Sequence, residues 1–73
     1  MQAQTIQITT PFIRLDALLK FAALVGSGGE AKAHIADGAV FVNGEPCSQR
    51  GRKLYPGDRM TFDGCDYLVA GEN

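Results

Sequence analysis

Apolar side chains fall at Leu15, Leu18, Leu19, Ala22 and Val25, in steps of three and four that make one stripe of an α-helix. Asp16 and Lys20 lie off that stripe, four apart with the acid first, the favourable order for a helical ion pair. The spacing predicts a helix over about 14–25, ended by Gly26. Ser27 then opens a second pattern. Ser27-x-x-Glu30 is a capping box, in which the serine oxygen takes the Glu30 N–H and the Glu30 carboxylate reaches back to the Ser27 N–H. The alanine-rich run EAKAHIAD follows, with Ala31 and Ile35 on its inward face and Gly38 where a left-handed residue closes a helix.

After Gly38 the period changes from 3.6 to two. AVFVN reads as a strand, and Asn43-Gly44 is a strong short hairpin signal. Pro56-Gly57 marks a further turn, RMTF a strand, Asp63-Gly64 a second hairpin turn and YLV a last strand. Near the start, TIQI alternates β-branched and polar groups and reads as a short strand that Thr9, Thr10 and Pro11 interrupt. The order is strand, helix, helix, then three or four short strands, without repeats, linkers or low-complexity segments.

A chain of 73 residues suffices for one small domain, spanning residues 1–73. A domain of this size buries roughly 60% of its unfolded surface, so its stability is modest. With 45% hydrophobic and 21% charged residues, the composition is that of a globular fold. No apolar run is long enough to span a membrane and no basic-then-apolar signal opens the sequence, so a soluble, cytoplasmic protein without a membrane partner is expected. Cys47 and Cys65 lack metal-ligand spacing and are read as reduced and structural, so no metal and no cofactor is expected.

The net charge of −1 argues against a general polyanion binder, but its distribution is uneven. Residues 1–59 hold seven basic and five acidic side chains, a balance of +2. Residues 60–73 hold Asp63, Asp66 and Glu72 and no basic side chain, a balance of −3. One end can therefore carry a positive face.

Three stretches hold chemistry in reserve. GSGGEAK, residues 26–32, leaves the Gly28 and Gly29 N–H groups bare at a helix start, one turn before Lys32. That is either a phosphate seat or a bend that lets two helices pack closely. The string also matches G-x-G-x-x-A, but a helix precedes it rather than a strand, and Ala33 after Lys32 breaks the P-loop pattern, so a nucleotide-binding enzyme is rejected. QRGRK, residues 49–53, sets Arg50, Arg52 and Lys53 between two strands, where their side chains can fan out toward phosphates. Phe41 faces outward if Val40 and Val42 face the core, and then either stacks on a base or makes a satellite contact with Tyr67 or Phe62. His34 has no second ligand or nucleophile in its pattern and reads as a surface residue or a phosphate contact, and Asp58 reads as a turn stabiliser.

RLDALLK, then EAKAHIADGAVFVNGE, then RGRKLYPGD, together resemble the small RNA-binding module of ribosomal small-subunit protein S-four. The resemblance covers residues 13 to about 62 and is nearest to the free-standing single-domain RNA-binding proteins of the YbcJ and YaaA type. It implies an α+β fold, the αL motif: two short helices packed on a small, mostly antiparallel sheet. It implies RNA held across the helices and the adjoining hairpin, with Arg14, Lys20, Lys32, Arg50, Arg52 and Lys53 as contacts. Many members have Ser-Arg at the start of the second helix, where this chain has Ser27-Gly28. In that setting the phosphate seat at Gly28 and Gly29 is the preferred reading of the glycine pair. The function expected is a non-catalytic, monomeric binder of structured RNA, ribosomal or transfer RNA. A protein-interaction module docking on a ribosomal or assembly factor is the alternative. A ubiquitin-like sulfur carrier, suggested by V-N-G-E, requires a C-terminal Gly-Gly where this sequence reads GEN. No acid–base or nucleophile set converges that would make an enzyme.

Overall fold

The computed structural model describes residues 2–71. Along the chain run β1 (Gln2–Ile8), β2 (Ile13–Arg14), α1 (Leu15–Phe21), α2 (Gly28–Ala36), β3 (Val40–Val42), β4 (Glu45–Pro46), β5 (Lys53–Leu54), β6 (Arg59–Phe62) and β7 (Cys65–Gly71). Five strands form one sheet in the order β1-β7-β6-β3-β4, and β2 and β5 form a separate two-stranded ribbon. Every pairing is antiparallel except that of β1 with β7. The fold is the expected α+β arrangement of two helices and a mostly antiparallel sheet.

Period-two alternation sets the inner face of the sheet. Val42, Met60 and Tyr67 stand side by side across β3, β6 and β7, and all three are buried. The apolar stripes of the helices meet that row. Leu15, Leu18 and Leu19 of α1 and Ala31 and Ile35 of α2 belong to the same buried cluster. Each fully buried leucine contributes roughly 1.5–3 kcal/mol relative to exposure. Asn43-Gly44 and Asp63-Gly64 both have positive φ at their two central residues, the geometry of tight hairpin turns.

The first helix is shorter than its stripe. It stops at Phe21 because Ala23, at φ 61°, turns the chain out of the helix. The Ala23 N–H donates to the Lys20 carbonyl at 3.0 Å and the Leu24 N–H to the Leu19 carbonyl at 2.9 Å. These two bonds are a Schellman closure built on alanine instead of glycine. Ala22 and Val25 keep the apolar period because they pack on the core from the loop. Gly38, at φ 76°, closes α2 as its position predicts, with the Gly38 and Ala39 N–H groups bonded to the carbonyls of Ile35 and His34.

The capping box is half as expected. Ser27 Oγ accepts the Glu30 N–H at 3.2 Å, but the Glu30 carboxylate takes the N–H of Gly26 at 2.7 Å and not that of Ser27. At the start of the chain, β1 extends back beyond TIQI to Gln2, because its register is set by the distant β7 and not by its own alternation. The last strand is likewise longer than YLV, from Cys65 to Gly71.

Candidate nucleic-acid interface

The β2–β5 ribbon consists of two residue pairs. Ile13 faces Leu54, and Arg14 faces Lys53. Leu54 is buried and Ile13 packs on the core, so alternation turns the Arg14–Lys53 pair outward. Two cations directly opposite one another repel. Each has found partial relief: Arg14 Nη2 lies 3.4 Å from Asp16 Oδ2, and Lys53 Nζ sits 4.8 Å from the centre of the Phe12 ring.

The loop before β5 is fastened to the start of α1. The Leu15 N–H donates to the Arg52 carbonyl at 2.8 Å, and the Asp16 N–H to the Arg50 carbonyl at 3.1 Å. The first turn of a helix has N–H groups without helical partners, and here the backbone of the basic loop supplies their acceptors. A Cβ on Gly51 would meet Arg14 Nη2 at 3.7 Å, so the guanidinium lies alongside the same loop. Arg14, Arg50, Arg52 and Lys53 are therefore gathered at one end of α1, all four exposed.

Phe12 and Tyr55 join this cluster, although neither stands among the residues expected from the sequence. Their ring centres are 5.8 Å apart with the planes tilted by 51°. A signal for Tyr55 was present: Lys53-Leu54-Tyr55 alternates exposed, buried, exposed, which sets the tyrosine on the side of the lysine.

The remaining expected residues lie elsewhere. Lys20 is in the last turn of α1, and Gly28, Gly29 and Lys32 are in the first turns of α2. Lys20 is set apart from the first group by the roughly 10 Å length of α1, and the 22–27 loop leads from it to Gly28, Gly29 and Lys32. A Cβ at Gly28 would meet nothing within 4 Å, and one at Gly29 only Ser27 Oγ at 3.9 Å. Close helix packing therefore does not require the glycine pair, which removes the support for the bend reading. Among the described residues, neither glycine N–H has a hydrogen-bond partner.

Phe41 does face outward, between buried Val40 and Val42. Its cross-strand neighbours are Pro46 and Thr61, and Thr61 Oγ1 donates to Asp66 Oδ1 at 2.7 Å. It therefore shares its sheet face with Asp66 and, two residues from Thr61 along β6, Arg59, and not with the cluster on the β2–β5 ribbon, and its strand neighbours are not Tyr67 or Phe62. His34 packs edge-on against Phe62, ring centres 5.1 Å apart. Asp58 is a turn residue as expected: Oδ2 accepts the Tyr55 N–H at 2.8 Å, and Oδ1 accepts from Asn43 Nδ2 at 3.2 Å.

An open groove of about 370 Å³ is lined by Gln7, Ile8, Thr9, Thr10, Ile13 and Phe21, none of which titrates. Among the described residues, no three His, Cys, Asp or Glu side chains gather as metal ligands, and Cys47 and Cys65 are free thiols. No helix among the described residues is long and apolar enough to cross a membrane.

The sequence pattern of the S4 domain family matches this chain over residues 6–70, a span that takes in both helices and the basic loop. A protein of Bacillus subtilis (strain 168), named probable ribosome maturation protein RlbA, is 45% identical over 62 residues, which cover 85% of this chain and 87% of the relative.

Proposed function

We propose, from the fact that this chain belongs to the S4 domain family, that it is a non-catalytic, monomeric RNA-binding protein of the cytoplasm that holds structured RNA against the face bearing Arg14, Arg50, Arg52 and Lys53. The Bacillus relative's name directs the choice of RNA toward the ribosome, so ribosomal RNA comes before transfer RNA and ribosome maturation is the process.

The observation that carries this reading is the Arg14–Lys53 register pair beside a loop pinned to α1. Like charges set opposite each other cost stability by themselves, and a polyanion laid across them offsets that cost. Arginine forks and a lysine suit phosphate oxygens, and such contacts fix an RNA's position without reading its bases. Lys20, Lys32 and the Gly28–Gly29 N–H groups, beyond the far end of α1, are a second set of contacts in this reading. The spacing of about 10 Å along α1 is short enough for one sugar–phosphate backbone to touch both ends. The near-neutral net charge fits a binder whose cations are concentrated on one side.

Crosslinking in cells followed by sequencing of the attached RNA tests the reading. Reads concentrated in one region of ribosomal RNA are expected. Recovery of a protein partner that survives nuclease treatment, with no RNA above background, would favour docking on an assembly factor instead.

A further inference from the structure

We propose that Tyr55, backed by Phe12, is a stacking step for one unpaired base of the RNA, so that the ligand is a stem with a bulged or looped-out nucleotide and not an uninterrupted duplex. This rests on the RNA-binding reading of the same face and names what that face recognises.

Tyr55 is 50% exposed while its backbone is held from both sides. Its N–H donates to Asp58 Oδ2 and its carbonyl accepts the Asp58 N–H, each at 2.8 Å. Asp58 is itself anchored by Asn43, whose Oδ1 accepts the Arg59 N–H at 3.0 Å. The Pro56-Gly57 turn, with Gly57 at φ 101°, fixes the chain direction just beyond the ring. A large apolar ring on a rigid backbone, open to solvent, is prepared for a flat partner at low entropic cost.

Its neighbours supply the rest. Phe12 meets Tyr55 at a tilt, and with ring centres only 5.8 Å apart no base fits between them. The base therefore lies on the free face of Tyr55, with Phe12 as a buttress. Lys53 Nζ, over the Phe12 ring, places a cation beside the aromatic pair on its buttress side, where the RNA backbone flanking the extruded nucleotide would pass. The other exposed aromatics lack this setting: Phe21 borders the uncharged groove, and among the described residues no second ring packs against Phe41. Contacts to phosphate need no aromatic, whereas unpaired bases in RNA are held by stacking on rings of this kind.

The test uses the full chain and two RNA hairpins, one with a single bulged 2-aminopurine in its stem and one fully paired. Wild type should bind the bulged hairpin more tightly and quench the 2-aminopurine fluorescence. Tyr55→Ala should bind it about 5- to 150-fold more weakly without the quenching, at an unchanged salt slope. Tyr55→Phe should keep both affinity and quenching, and melting curves should show that both variants fold. If Tyr55→Ala matches wild type while Arg52→Ala weakens binding, the stacking step is wrong and the RNA-binding reading stands. If wild type binds neither hairpin, the RNA-binding reading fails and the stacking step with it.

Discussion

Arg14 and Lys53 face each other directly across the β2–β5 ribbon, both outward, with Asp16 and the Phe12 ring moderating their repulsion. The relationship is a product of packing. Ile13 and Leu54 must point inward to fill the core, and the period of two then presents the next residue on each strand to solvent. Core formation on one side thus builds the cationic pair on the other.

Reversing one charge separates stability from binding. In Lys53→Glu, the loss of the cation–aromatic contact and the gain of an attractive cross-strand pair are each worth about 0.5–1 kcal/mol and oppose one another. Denaturant midpoints should therefore stay close to wild type. RNA affinity at low salt should fall by about tenfold or more, since a phosphate contact becomes a repulsion. Fluorescence anisotropy on a ribosomal RNA fragment reads the second effect.

The alanine closing α1 costs stability. Ala23 holds φ 61°, a conformation that disfavours a side chain by about 1–2 kcal/mol. Ala23→Gly removes that strain but enlarges the unfolded ensemble. The net expectation is a gain of about 0.5–1 kcal/mol in chemical denaturation, with RNA binding unchanged.

Such a closure leaves no mark in the sequence, because alanine normally favours helix, and so the helix was expected to run on to Gly26. The β2–β5 ribbon was equally hidden. A pairing of two residues carries no periodicity, and it exists only because the 49–53 loop docks on the start of α1. The parallel β1–β7 pair joins the two ends of the chain, beyond the reach of any local pattern. What depends on neighbouring residues was legible: the Ser27 cap, the Gly38 closure, both hairpin turns and the strand RMTF. The cations of the candidate site were legible as residues, and their division between the two ends of α1 was not. Phe41 drew attention because it stands between two valines, while Tyr55, with an equally clear alternation behind Lys53, carries the aromatic contact to the basic face.

The glycine pair of α2 should separate folding from binding. Because Gly28 and Gly29 meet open space, replacing both by alanine should raise stability by about 0.5–1 kcal/mol through helix propensity. If their N–H groups approach phosphate, the added methyl groups should weaken RNA binding several-fold. Unchanged binding in the more stable variant would remove these glycines from the interface.

Asp58 ties the Tyr55 turn to the hairpin at Asn43. Asp58→Ala should cost about 1–2 kcal/mol, the scale of losing hydrogen bonds to a partly exposed carboxylate. It should also weaken binding to the bulged hairpin more than to the paired one, because the ring loses its fixed mount. Parallel denaturation and binding measurements separate the two effects.

The most direct test is the salt dependence of RNA binding. With about four phosphates engaged, the plot of log affinity against log salt should have a slope of roughly −3, a loss on the order of 50-fold between about 50 and about 200 mM. Arg52→Ala and Lys53→Ala should each lower affinity and flatten the slope by about one unit. Affinity and slope both unchanged in the two variants would show that the face around Arg14 and Lys53 is not where the RNA lies.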